Sequence, residues 1–203
     1  MTENLSLYLR AFIIGISIAA PVGPIGVLCI RRTLSDGKLA GFLSGLGAAS
    51  ADMVYGAIAA FGLSAISEAL VNNAFWMRLL GGGFLLYLGT KTFLEKPAEE
   101  AAKTKQGGVF NMYLSTFFLT ITNPMTILSF AAIFAGTMAG LKVGSPLVMV
   151  AGVFSGSAAW WLLLSFGVGL FRERLTSNHM AWINRISGVV IFAFGIYALT
   201  GLF

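Results

Sequence analysis

The residue of this chain best suited to chemistry is Asp52, in "GLGAASADMVYGAIAAFG". It is the only acidic residue deep inside an apolar run. A charge at the centre of a bilayer costs at least ~2.5–3.5 kcal/mol, so such residues are kept for function. Asp52 can bind an ammonium, carry a proton, or alternate between the two. The competing reading is structural, with the carboxylate paired to an arginine or capped by a hydroxyl such as Ser50. A second signal is "APVGPIGVL", which packs Pro21, Gly23, Pro24 and Gly26 into one short stretch. Proline has no N–H, so Pro21 and Pro24 cannot bond the carbonyls of Ser17 and Ala20. Pro124, next to Asn123 in "TITNPMTIL", frees the carbonyl of Thr120 in the same way. Such a break leaves carbonyls open on one side and N–H groups open where the helix restarts. Carbonyls suit a cation and helix N-termini suit a carboxylate. An amino acid carries both charges. An ordinary proline kink explains one such break; two at equivalent places point to a binding site.

These residues need a scaffold, and the composition says which. Of 203 residues, 57% are apolar and only 10% are charged. The mean hydropathy is +0.86. A soluble domain is about a quarter charged, so lipid is the expected solvent. Six apolar segments follow one another, near Leu7–Ile30, Leu39–Ile66, Phe75–Leu94, Phe110–Thr137, Ser145–Phe171 and Ala181–Phe203. Each is long enough to cross a core of ~30 Å. The N-terminal run is too long, and too poor in basic residues at its start, for a cleaved signal peptide. The first, third and fifth connections carry Arg31, Arg32, Lys38, Lys96, Lys103, Lys105, Arg172 and Arg174. The other side has only Arg10, Arg78 and Lys142 near span ends. The positive-inside rule therefore puts those three connections in the cytoplasm and both termini outside. The same scatter of basic residues speaks against a nucleic-acid partner.

The chain also repeats. "WMRLLGGGFLLYLG" from Trp76 resembles "WINRISGVVIFAFG" from Trp182. At an offset of 107, Gly45 meets Gly152, Gly62 meets Gly169, Arg78 meets Arg185 and Gly81 meets Gly188. Pro24 meets Pro124 at an offset of 100. Three spans per half is an odd number, so homologous halves insert in opposite orientations, as in many secondary transporters. The expected fold is thus an all-α membrane protein of six transmembrane helices. It comprises two inverted three-helix repeats, with helices one and four broken at prolines. The single domain covers 1–203: repeat one about 1–95, a cytoplasmic loop about 96–109, and repeat two about 110–203.

The remaining candidates are weaker. Arg78 and Arg185 open matching spans; they snorkel to the interface, or gate the two mouths, or pair with Asp52. Gly41–Gly45 and Gly152–Gly156 have the small-xxx-small spacing of close helix packing. Trp160 and Trp161 lie opposite Asp52 in the repeat and line a pathway or simply pack. Cys29 is the lone cysteine and His179 the lone histidine, so no metal site or cofactor is expected. No motif of a hydrolase, metal enzyme or ATP-driven pump is present.

At these residues the chain resembles the lysine exporter (LysE/RhtB) family of amino acid translocators. The shared features are "PVGP" at the end of span one, a Gly-rich span two with a central Asp, and "LTITNPMTI" in span four. The resemblance covers essentially the whole chain, although Val22 is an insertion within the family's Pro-Gly-Pro-like motif. It implies a bacterial inner membrane protein that exports amino acids on the proton gradient, with protons, amino acid and lipid as its partners. The implied site is Pro21, Gly23, Pro24, Asp52, Asn123 and Pro124; Gly26 joins it from the reading of the break. The sequence allows a homodimer without requiring one. The rival functions are export of another solute such as a metal cation, and a non-transporting membrane assembly subunit.

Overall fold

In the computed structural model the described residues are 2–21, 23–61, 73–94, 108–123, 126–127, 129–130, 145–174 and 176–200. Among them the chain is helical with no strand. Helix α1 (Thr2–Ala19) stops just before Pro21, which cannot donate the next helical bond. Helix α2 (Pro24–Asp36) restarts on Pro24, whose fixed φ suits a first helical position. The axes of α1 and α2 are bent by 82° at this junction. Gly37 closes α2 with φ 107, a conformation that costs other residues strain, and α3 (Lys38–Ala60) begins at once. Helices α4 (Ala74–Leu94), α5 (Val109–Ile121), α6 (Pro146–Gly169) and α7 (Ser177–Thr200) complete the set. A single 3-10 turn, Arg172–Arg174, lies between the last two.

Among the described residues three helices are long and apolar enough to cross a membrane: α3, α6, and α7 over Asn178–Thr200. The bent pair α1–α2 makes a fourth if it is one span. The apolar helix at Phe110–Ile121 is shorter. Six spans were expected. Parts of the expected second and fourth lie outside the described residues, as do Val22, Gly62 and Pro124. The outward faces carry large apolar side chains, among them Leu79, Leu80, Leu163, Phe166, Trp182 and Ile186. Such a surface belongs in lipid, and the chain is a multi-pass membrane protein.

Packing follows the small residues. Gly152 and Gly156 of α6 lie against Tyr8, Ala11 and Phe12, so α1 runs parallel to α6. Gly47 of α3 lies against Tyr113 and Thr116, and Tyr55 reaches Ile121, so α3 runs parallel to α5. Gly41 faces Ser165 while Gly56 faces Val153, so α3 and α6 are antiparallel. Gly82 meets Leu199 and Gly89 meets Phe192, so α4 and α7 are antiparallel too. Two buried apolar clusters result. One gathers Ala19, Ile25, Leu28, Ala48, Ala49, Leu119, Trp161 and Ile191, among others. The other holds Ala11, Tyr55, Ala60, Ile127, Phe130, Met149 and Val153.

One expectation is overturned here. Arg31 and Arg32 were assigned to a charged connection after span one. Instead α2 continues to Asp36 and both arginines are buried, with 6% and 8% of their surface exposed. The reason is the restart at Pro24: thirteen residues of new helix carry the arginines under α3, α5 and α7, where polar groups meet them.

Candidate functional site

Asp52 is 3% exposed and lies where α3 faces α6. The Ser157 hydroxyl donates to its Oδ2 at 2.7 Å. Small residues bring the helices this close. A side chain at Gly45 would collide with Trp161, and Ala48 and Ala49 are buried on the same stretch of α3. Asp52 divides the two apolar clusters, with Ala48 and Ala49 in one and Tyr55 in the other. Ser50 does not cap it. That hydroxyl donates to the carbonyl of Leu46 and accepts from Tyr113.

The first chain junction is built as follows. Ala20 N–H makes the last bond of α1, to Ile16, and Gly23 N–H turns back to the carbonyl of Pro21. Val27 N–H then bonds the carbonyl of Gly23, and no side chain caps α2. Pro21 is exposed, Gly23 half-buried, and Pro24 and Gly26 buried. In the second half α5 ends at Ile121, and Ile127 N–H bonds the carbonyl of Asn123. At the offset of 100 this bond is the counterpart of Val27 to Gly23. Pro124 itself lies outside the described residues. One detail corrects the sequence reading: the carbonyl of Thr120, expected to be free, accepts the N–H of Asn123. The helix end tightens into a three-residue turn, a common way to satisfy terminal carbonyls.

Two contributors were missed. Ser157 in a Gly/Ser/Ala run carries no signal by type. Tyr55 did carry one, because it stands three residues after Asp52 and so shares its face of α3. Its hydroxyl donates to the carbonyl of Ile121, which the end of α5 leaves open, and its ring lies 5.3 Å from that of Phe130. Asp52 and Tyr55 thus tie α3 to α6 and to the end of α5. Arg78 and Arg185 belong to the other helix pair, α4 and α7. They lie near the starts of the antiparallel α4 and α7, hence at opposite ends, with Arg185 exposed over the ring of Trp182. Among the described residues no cluster of three metal-ligating side chains occurs.

Comparison with known proteins gives the same direction. Over 200 residues the chain is 26% identical to the "Putative amino acid efflux protein YcgF" of Bacillus subtilis (strain 168), covering 95% of each. It is 26% identical over 175 residues to the uncharacterized membrane protein YahN of Escherichia coli (strain K12), covering 84% of this chain and 77% of YahN. A third relative, the uncharacterized membrane protein YrhP of Bacillus subtilis (strain 168), is 25% identical over 183 residues, 84% of this chain and 87% of YrhP. No solved structure matches the chain. The family model of the LysE type translocator matches residues 16–201, so the chain belongs to that family.

Proposed function

We propose that the protein is a secondary exporter of amino acids or close derivatives, working by proton antiport in a bacterial inner membrane. Its two halves form an inverted repeat of six spans and expose a central site alternately to each side. Family membership and the amino acid efflux named for a relative support the substrate class.

One observation carries the alternating-access reading: among the described residues, the four main helix contacts are preserved when the halves are exchanged. Put α5 in place of α1, α6 in place of α3 and α7 in place of α4. The pair α1–α6 becomes α5–α3, while α3–α6 and α4–α7 map onto themselves, and among the described residues these four pairs are the most extensively packed. Directions agree, since the exchanged pairs are both parallel and the self-mapped pairs both antiparallel. Register agrees as well. At the offsets 100 and 107 the contact of Phe12 with Gly156 maps onto Met112 and Ala49. That is one residue on each helix from the observed bond of Tyr113 with Ser50. Chance packing has no reason to obey this exchange, whereas an inverted repeat requires it.

In this reading the substrate carboxylate sits at the uncapped start of α2, beside Gly23, Pro24 and Gly26. Its ammonium meets carbonyls at the breaks near Pro21, Asn123 and Pro124, and Asp52 carries the coupled proton. Arg78 and Arg185 stand at the two mouths. The test is an untargeted screen of cells loaded with dipeptides. Amino acid efflux faster than in cells lacking the protein, and abolished by a protonophore, is the expected outcome. Unchanged efflux with altered metal tolerance would replace the substrate class with a cation.

A further inference from the structure

We infer that the end of the molecule carrying Arg31, Arg32 and Arg172 is a closed gate, and that the polar half of the α3–α6 seam behind it is the path this gate seals. The inference rests on the exporter reading for the side of the membrane concerned and for what travels the path.

Arginine bonds hold this end shut. Arg32 donates to Ser44 of α3 at 3.0 Å, and across to α5 through the carbonyl of Met112 at 2.9 Å and the hydroxyl of Ser115 at 2.8 Å. Arg31 donates to Asn184 of α7 at 3.1 Å. Arg172, just past α6, donates to the carbonyls of Leu34 and Ser35 at the end of α2. Three links thus run from α2 in the first half to three different elements of the second. Rocking the halves apart at this end must break them. Charge-assisted bonds to well-placed acceptors suit that role, being strong when made and exchangeable for water when exposed.

The seam behind them is polar, buried and closely packed. Ser157, Trp161 and Ser165 recur every four residues, so they form one stripe along α6. Ser157 is bonded to Asp52. The indole N–H of Trp161 and the hydroxyl of Ser165 are buried with no hydrogen-bond partner among the described residues. A packed core does not keep two such groups without reason, because unmet polar groups cost stability. The helices meet closely here: a side chain at Gly45 would strike the Cβ and Cγ of Trp161, and one at Gly41 would strike Thr33 and the Ser165 hydroxyl. Beyond Asp52 the stripe turns apolar with Val153 and Met149. Among the described residues the orphaned donors therefore lie between Asp52 and the arginine end. They gain partners when that stretch opens to water or solute.

Cys29 is a built-in reporter. It is the only cysteine, is 0% exposed, and precedes Arg32 by one turn of α2. Full-length protein in inside-out membrane vesicles is treated with a membrane-impermeant maleimide. Cys29 of the native chain labels slowly, and Arg32→Gln raises the rate about tenfold or more. Equal rates overturn the gate. Arg32→Lys, which keeps the charge but cannot reach Ser44, Met112 and Ser115 together, carries the same expectation if the glutamine variant does not fold. Fast labelling only in right-side-out vesicles keeps the gate and refutes the assigned orientation. Trp161→Phe removes one unmet N–H. It is expected to leave thermal stability equal or higher while amino acid efflux falls several-fold. Native efflux in Trp161→Phe overturns the path. Absence of any efflux from the native chain, with Cys29 behaving as expected, refutes the exporter reading and leaves the gate standing.

Discussion

The seam between α3 and α6 changes character at Asp52. On one side, toward Lys38 and Gly169, it holds Ser157, Trp161 and Ser165 and ends under buried arginines. On the other, Gly56, Val153 and Met149 make a dry apolar contact continuous with Tyr55 and Phe130. Both sides are packed at glycine distance. Their difference is what they would offer if parted: hydrogen-bonding groups on one side, hydrocarbon on the other. Asp52 stands at the boundary, and in the proposed antiport it is the group through which a proton passes from one regime to the other.

The largest effect is expected there. Asp52→Asn keeps the shape and the acceptor for Ser157 but removes the titrating carboxyl. Efflux measured in dipeptide-loaded cells should fall to that of cells lacking the protein. Normal export by this variant would erase the distinction between the two sides. Next come Gly156→Leu and Gly47→Leu, which push a side chain against the carbonyls of Phe12 and Tyr113 respectively. Each should cost roughly 3 kcal/mol, read as loss of folded protein in detergent melts. In the proposed inverted repeat the two losses should be similar. Tolerance of one but not the other would break the symmetry.

Smaller effects sharpen the contrast. Met149→Ala opens a cavity on the apolar side and should cost about 2 kcal/mol while leaving efflux per folded molecule unchanged. Tyr55→Phe frees the carbonyl of Ile121 and should cost about 1 kcal/mol in the same melts. It should also weaken efflux, because the end of α5 loses its tether to the helix that carries Asp52.

Much of this was legible in the sequence. Hydropathy alone implied a helical membrane protein, because unbroken apolar runs of about twenty residues span a bilayer as helices, whereas barrel strands alternate in polarity. Asp52 stood out as one acid in a long apolar run. The end of α1 and the start of α2 follow from Pro21 and Pro24, which act locally. What was not legible depends on tertiary partners. Arg31 and Arg32 read as a surface connection because buried charge is rare, and partners on other helices, Ser44, Met112, Ser115 and Asn184 among them, make their burial tolerable. Ser157 was hidden for the same reason: its type says nothing until α3 places a carboxylate beside it. Pro124 was expected to leave the carbonyl of Thr120 open, but a tightened turn fills that vacancy locally.

The most direct test of the account is transport by purified protein in liposomes with an imposed pH gradient. The native chain should move amino acid against its own concentration gradient when protons flow the other way, and Asp52→Asn should not. Equal amino acid flux with and without the pH gradient, or accumulation driven as well by Asp52→Asn as by the native chain, would contradict it.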